Sequence, residues 1–144
     1  MDLMQLKLCD IQGRLFELSV KKYCNSEQFV SFFMKSNTAR YLDSKYNRMQ
    51  WAGEEYLLEE VLDEAGGKIT TTDAPYDSEV MYWMGYIYRY WHYYKEESSK
   101  KIYQQANVKT MKQNYMMFHT MAPELAIDDL IEIKRQKQLA KRPK

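Results

Sequence analysis

The sequence predicts an all-α protein, folded as a single compact domain of about six or seven helices around a central aromatic helix. Apolar residues recur at helical spacing in one segment after another, while the chain has only five glycines and three prolines. Residues 82–94 hold eight Tyr or Trp rings and one histidine. With 144 residues the chain is long enough for one domain with a buried core. We assign residues 1–133 to this domain and residues 134–144 to a basic, frayed tail.

An apolar stripe at alternating spacings of four and three residues predicts the first helix. The stripe covers about five turns and comprises Met4, Leu8, Ile11, Leu15 and Leu18. Gly13 lies within this helix. Because glycine costs about 1 kcal/mol against alanine inside a helix, its presence indicates that another helix packs closely here.

Capping residues delimit the next two helices. Asn25 followed by Gln28 resembles a capping box and opens the second helix, which ends near Leu42. Its inward-facing residues are Phe29, Phe32 and Phe33. A loop over 43–47 precedes a third helix over 48–65, which ends at Gly66-Gly67. Its predicted buried residues are Trp51, Leu58, Val61 and Leu62. Residues 68–76 have β character but no partner strand, which favours a loop.

Four further helices follow. Asp77 or Ser78 caps the aromatic helix, which runs to about residue 96. A short helix runs from Ser98 or Ser99 to residue 106, and another covers 111–119. Pro123 suits the first turn of the last helix, where its missing N–H is not needed. The last helix is expected to bury Leu125, Ile127, Leu130, Ile131 and Leu139.

The aromatic helix is apolar around most of its circumference, which is typical of a helix surrounded by others. Its polar edge offers a surface for a partner protein, since Tyr, Trp and Arg dominate interface hot spots. The candidate partner-binding residues on this edge are Tyr86, Arg89, His92 and Tyr93. Base stacking is a weaker interpretation, because only Arg89 provides the interleaved positive charge that it requires.

A second candidate surface is the acidic run over 54–64. Its proposed partner-binding residues are Glu54, Glu55 and Glu59. Such a run is ordinarily a solvated helix face, but it could also dock against a basic partner through charge complementarity.

Sequence patterns that would indicate a catalytic or metal site are weak. Arg89 and His92 are neighbours on a helix, but no acid stands beside them in sequence, and ribonucleases built on helical bundles have a longer interval between these residues. The acidic run has Glu pairs one turn apart but lacks the Glu-x-x-His pattern of bundle metal sites. We therefore predict no catalytic residue, no metal site and no cofactor, and expect that the protein is not an enzyme.

Residues 98–114 have the rhythm of a helix-turn-helix, with a turn at Asn107-Val108. Its polar face would present the candidate nucleic-acid-binding residues Lys109, Lys112 and Gln113. An apolar residue is normal where Gln113 stands, so a plain helical corner is the competing interpretation. The basic tail could add phosphate contacts, although the net charge of +1 gives no general attraction for nucleic acid.

Cys9 and Cys24 show no metal-ligand spacing and are expected to be reduced thiols. No segment has the length and apolarity of a membrane span, and the N-terminus has no secretory pattern. We therefore expect a cytoplasmic protein that does not enter a membrane.

Five stretches are distinctive: Leu15-Phe-Glu-Leu-Ser-Val-Lys-Lys22, Gln50-Trp-Ala-Gly-Glu-Glu-Tyr-Leu-Leu-Glu-Glu60, residues 82–92 continuing through Glu97-Ser-Ser-Lys100, Phe118-His-Thr-Met121, and Ala126-Ile-Asp-Asp-Leu130. Together they resemble a family of small uncharacterised helical proteins from Gram-positive gut bacteria. This family is associated with loci of toxin–antitoxin type whose toxin candidate resembles an ADP-ribosyltransferase. The resemblance implies an antitoxin or accessory role, and it assigns no functional residue.

These observations together predict a non-catalytic protein-binding module, first of all an antitoxin that neutralises a toxin. The alternatives are an inhibitor of a host defence nuclease carried by a phage or mobile element, similar to an anti-CRISPR protein, and a DNA-binding regulator that uses residues 98–114. The expected partner is therefore a protein, with nucleic acid second.

Overall fold

The computed structural model describes residues 1–45 and 48–141. Within them the chain forms eight α-helices, one short 3-10 helix and no strand, which confirms the predicted fold class. The α-helices are α1 (Leu3–Lys21), α2 (Ser26–Lys35), α3 (Asn37–Asp43), α4 (Glu54–Ala65), α5 (Ser78–Lys95), α6 (Ser99–Gln105), α7 (Val108–Phe118) and α8 (Pro123–Ala140), and the 3-10 helix is Arg48–Trp51. None of these helices is both long and apolar enough to cross a membrane.

The predicted second helix is two helices, because Ser36 interrupts it. The Ser36 hydroxyl donates to the carbonyl oxygen of Phe33 at 2.7 Å and accepts from the backbone N–H of Ala39 at 3.0 Å. It thereby closes α2 and caps α3 with a single side chain. The loop predicted over 43–47 includes residues 46 and 47, which lie outside the described residues.

Three predictions of burial are wrong, those for Trp51, Leu125 and Leu139. Trp51 is 76% exposed, because α4 begins only at Glu54 and leaves Trp51 in the preceding 3-10 helix, off the apolar stripe. In α8 the fully buried residues are Ala126, Ile127 and Leu130, whereas Leu125 is exposed. Leu125 lies about 200° around the helix from Ile127, so the two cannot face the same core.

Helix α8 continues to Ala140, so it includes most of the segment predicted as a frayed tail. Leu139, expected in the core, is exposed near the end of this helix. The segment predicted as a loop over 68–76 contains no helix or strand, and an isolated β-bridge joins its Thr71 to Cys24.

The aromatic helix α5 occupies the centre of the fold, as the sequence predicts. It packs along α1 and also contacts α6, α7 and α8. Its buried residues are Met81, Trp83, Met84, Gly85, Ile87, Tyr88, Arg89, Tyr90 and Trp91. Helix α2 joins this core through Phe29 and Phe33, whose rings each meet the ring of Phe16 in α1 edge-on at 5.4 Å.

Helices α1 and α5 approach one another closely at two glycines. A Cβ on Gly85 would lie 2.5 Å from the carbonyl oxygen of Gln12 and 2.8 Å from Cγ of Phe16. A Cβ on Gly13 would lie 2.8 Å from the ring of Tyr82. The close packing that Gly13 indicates in the sequence is therefore present, and Gly85 provides the other half of the contact.

We predict that Gly85→Ala lowers the free energy of unfolding by about 2 kcal/mol or more, because its methyl group would collide with the backbone of α1. This loss exceeds the helix-propensity gain of about 1 kcal/mol. Urea unfolding followed by circular dichroism measures the change. Gly53→Ala is the control, since its Cβ would have nothing closer than 3.8 Å. Equal stabilities of the Gly85→Ala variant and the unmodified protein would contradict the close contact.

Candidate protein-binding site

Arg89 is at the centre of a buried polar network. Its side chain is 1% exposed and contacts three other helices. The Arg89 Nε donates to Gln12 Oε1 at 2.8 Å, and its Nη1 donates to Asp43 Oδ1 at 2.7 Å. The Arg89 side chain therefore links neighbouring helices and has almost no surface accessible to a partner protein. The prediction that Arg89 binds a partner is wrong.

Asp43 completes this network from the end of α3. Its Oδ2 accepts the backbone N–H of Ser99 at 2.9 Å, and its Oδ1 accepts the Ser99 hydroxyl at 2.8 Å. Gln12 also donates from Nε2 to the carbonyl oxygen of Gly85 at 3.0 Å. The network thus links α1, α3, α5 and the first turn of α6. It also places an acid beside Arg89 and His92, which the sequence alone does not do.

His92 and Tyr93 lie at the edge of this network and are half-buried. His92 Nδ1 is 2.6 Å from the carbonyl oxygen of Glu97 and 3.7 Å from Asp43 Oδ1. Burial lowers the pKa of His92 and the Arg89 charge adds to this effect, while Asp43 opposes it. The Tyr93 hydroxyl is buried and makes no hydrogen bond of normal geometry within the described part of the chain.

A different face of α5 forms an open groove of about 430 Å³, which we call the aromatic groove. It is lined by Glu17 of α1, by Glu79, Tyr82, Trp83, Tyr86 and Ile87 of α5, by Tyr115 of α7, and by His119, Met121 and Pro123. Of the seven residues proposed for partner binding, Tyr86 is the one that the structure places in this groove.

The rings of the aromatic groove support one another. Tyr115 meets Trp83 edge-on at 5.7 Å and stacks on His119 at 4.4 Å. Tyr82 and Tyr86 are 6.1 Å apart, one turn from each other on α5. Mutual contact limits the rotamers of these rings, so the groove is largely formed before any partner arrives.

Tyr86 belongs to a row of four tyrosines on α5. The hydroxyls of the other three donate to carboxylates of neighbouring helices: Tyr82 to Asp10, Tyr90 to Glu124, and Tyr94 to Asp128. Burial raises the pKa of Tyr82 and Tyr90, and the carboxylate that each one contacts raises it further. Within the described residues the Tyr86 hydroxyl has no such acceptor, so it is available to a ligand in the groove.

Negative charge surrounds the aromatic groove. Glu17 and Glu79 line it, and no Lys or Arg of the described residues does. The charges of Asp10 and Glu124 act on Tyr86, and that of Asp77 acts on Tyr115. Arg14, a nearby cation, is paired with Asp10 at 3.0 Å. The groove therefore combines ring faces with an excess of carboxylate.

The acidic helix α4 is connected to this groove through Glu17. Glu54 and Glu55 line a neighbouring cleft of about 250 Å³ together with Glu17, Arg14, Leu18 and Lys21. Glu55 and Glu59 are exposed, as a docking surface requires. Glu64 of the same helix has a structural role, because it accepts the backbone N–H groups of Asn37 and Thr38 at the start of α3.

The proposed nucleic-acid-binding residues are exposed on α7, and the predicted break between α6 and α7 is present. Two of them already have intramolecular contacts. Lys109 Nζ is 3.9 Å from Glu27 Oε2, and Lys112 Nζ lies 4.2 Å above the ring of Tyr76. Gln113 is exposed where a helix-turn-helix normally buries an apolar residue. These contacts make α7 a weaker candidate for DNA binding than the aromatic groove is for protein binding.

Both cysteines are buried free thiols. Burial raises the pKa of Cys9 to about 12, so this thiol stays protonated. Among the described residues no group of three His, Cys, Asp or Glu side chains is placed to hold a metal ion.

Sequence reasoning missed most of the aromatic groove. Tyr115, His119 and Met121 lie 20 to 26 residues beyond the end of α5, and Glu17 lies 61 residues before its start. No spacing rule connects residues so far apart, because only the packing of α1, α7 and α8 on α5 brings them together.

We predict that Asp43→Ala lowers the free energy of unfolding by about 3 kcal/mol, because it leaves Arg89 buried without its counter-charge. Adding Arg89→Met to this variant restores part of the loss, since it removes the unpaired charge. Urea unfolding of the two single variants and the double variant measures this coupling. Asp63→Ala, at an exposed position on α4, is the control. If Arg89→Met costs as much without Asp43 as with it, the two side chains are not coupled.

We predict that stability falls as the pH is lowered through 6.5, the ordinary pKa of histidine, toward the lowered pKa of folded His92. In that window the unfolded chain binds a proton more readily than the folded one does, so protonation favours unfolding. Urea unfolding at about pH 7.5 and about pH 5.5 measures the change. His92→Gln should reduce it, whereas His119→Gln, at an exposed histidine, should not. The reverse pattern would exclude His92 as the source.

No protein-family model, curated protein or solved structure matches this chain. The resemblance to the Gram-positive family therefore stays a prediction. What the protein does has to be inferred from the chemistry of its own surfaces, and the aromatic groove is the most distinctive of them.

Proposed function

We propose that this protein is a non-catalytic protein-binding module and that the aromatic groove is its principal contact surface. The supporting observation is that one open depression is lined by three half-buried tyrosines and two glutamates, and by no Lys or Arg of the described residues. Tyr and Trp provide large contact areas at a low entropic cost, and they are enriched at interface hot spots.

Helix α7 also has exposed apolar side chains that suit a protein partner. Met116 and Met117 are 78% and 71% exposed. Methionine side chains adapt to an opposing surface because they are unbranched and polarizable. Glu17 also lines a neighbouring cleft with Glu54 and Glu55 of α4, in which Arg14 and Lys21 balance part of the negative charge.

Within this class we propose the role of an antitoxin that neutralises a cytoplasmic toxin by covering a basic surface of it. The acidic groove and α4 support this choice through charge complementarity. The same surface would also suit an inhibitor that covers the basic nucleic-acid channel of a defence nuclease, similar to an anti-CRISPR protein. Both roles rest on one physical property, an acidic and aromatic surface that binds a basic one.

We predict that the protein co-purifies with a protein encoded beside it and relieves the growth defect which that protein causes. Glu79→Lys should weaken the complex about 30-fold or more, because it brings a positive charge into a groove suited to a basic partner. Co-expression, affinity purification and calorimetry measure these effects.

Asp129→Lys is the matched control, since it makes the same change of charge at an exposed position on α8 that does not line the groove. Glu59→Lys measures the contribution of α4 separately. Thermal unfolding of each variant checks that the fold is intact. If the protein neither co-purified with any neighbouring gene product nor rescued growth, the antitoxin role would be rejected. An undiminished complex with folded Glu79→Lys would reject the groove as the contact surface.

A further inference from the structure

We propose that the aromatic groove is a cation-binding site whose occupant is a lysine or arginine side chain of the partner protein. This inference rests on the proposed protein-binding function and specifies what enters the groove. It is carried by the ring faces and carboxylates that line the groove, and by the contacts that this chain already makes between its own lysines and tyrosines.

The groove has the two chemical features that recognise an organic cation. Tyr82, Tyr86 and Tyr115 line the groove with half-buried rings, and the faces of such rings attract ammonium and guanidinium groups through their quadrupoles. Glu17 and Glu79 provide formal negative charge in the same depression. The basic side chain among its described lining residues is His119, whose Nδ1 is occupied by the carbonyl oxygen of Tyr115 at 2.8 Å.

The chain itself shows that its tyrosines hold ammonium groups. Lys112 Nζ lies 4.2 Å from the centre of the Tyr76 ring, and Lys95 Nζ lies 4.6 Å from that of Tyr94. Lys95 also pairs with Asp128 at 3.3 Å, so this ammonium group contacts a ring and a carboxylate together. The aromatic groove also combines tyrosine rings with carboxylates, and no lysine among the described residues lines it.

Other occupants fit less well. An anion would be repelled by Glu17 and Glu79, and a neutral apolar group would cover these carboxylates without pairing them. The groove is open to the surface and not an enclosed cavity, so its occupant can remain attached to a larger molecule. A long basic side chain meets these conditions, because its methylene stem covers the rings while its charged head reaches the carboxylates.

The test uses three pentapeptides with glycines around a central lysine, arginine or norleucine. Norleucine has the aliphatic stem of lysine without its charge. Each peptide is titrated into the full chain, and the NMR signals of the Trp83 indole and the Tyr115 ring are followed. We expect saturable shifts with the lysine and arginine peptides. The norleucine peptide should bind at least about fivefold more weakly than the lysine peptide. Glu17→Gln and Glu79→Gln should each weaken lysine binding while leaving norleucine unchanged, and added salt should weaken lysine binding further.

Equal affinities for lysine and norleucine would overturn the inference, as would the absence of any shift with lysine and arginine. A fourth titration uses butylammonium, the free side-chain cation. If it binds about tenfold more tightly than the lysine peptide, the site takes a small amine and not a protein side chain. Asp129→Gln is the control for the loss of one negative charge outside the groove.

The outcomes separate this inference from the proposed function. If a protein partner binds the Glu17→Gln/Glu79→Gln double variant as tightly as the unmodified chain, the cation site is wrong and protein binding remains. If the peptides show charge-selective binding but no partner protein is captured, the cation site remains and the proposed function is wrong.

Discussion

The close contact of α1 with α5 is the constraint on which the rest of the structure depends. Gly13 and Gly85 let the two helix backbones approach to a distance that no larger residue allows. At that distance Gln12 reaches the carbonyl oxygen of Gly85 and the Nε of Arg89. Because α5 also contacts α6, α7 and α8, its position relative to α1 determines where the other helices can pack.

Two faces of α5 have different roles: one stabilises the fold, and the other lines the aromatic groove. On one face Arg89 pairs with Asp43, which also accepts the backbone N–H of Ser99 at the start of α6. The arginine of this helix therefore stabilises the fold. On another face the tyrosine row meets carboxylates of α1 and α8, and Tyr86 remains open in the aromatic groove. Arg89 points to the other face and does not line this groove, and neither does any Lys or other Arg of the described residues. The groove's acidic character is therefore a consequence of the packing as well as of the composition.

Much of the architecture could be predicted from local patterns. Apolar spacing, the N-cap Asn25, Pro123 in the first turn of α8 and the left-handed Gly66 indicate real helix boundaries. The errors arise where a short-range signal has two solutions. Ser36 can lie within a helix or divide it, and Trp51 belongs to the stripe of α4 only if that helix begins early enough. The candidate site was predicted only through Tyr86, since its other walls come from distant parts of the chain.

The sequence by itself determined the helical class, the central position of α5 and the close contact at Gly13, because each depends on periodicity or on the size of one side chain. Only the tertiary structure decided the environment of each polar group. Arg89 has a typical hot-spot side chain, yet Gln12, Asp43 and Ser99 bury it, and these partners come from three other segments. The same packing gathers Glu17, Glu79 and Tyr115 around Tyr86. The burial and charge of a site depend on all its neighbours in space, and a sequence pattern does not show which distant residues become neighbours.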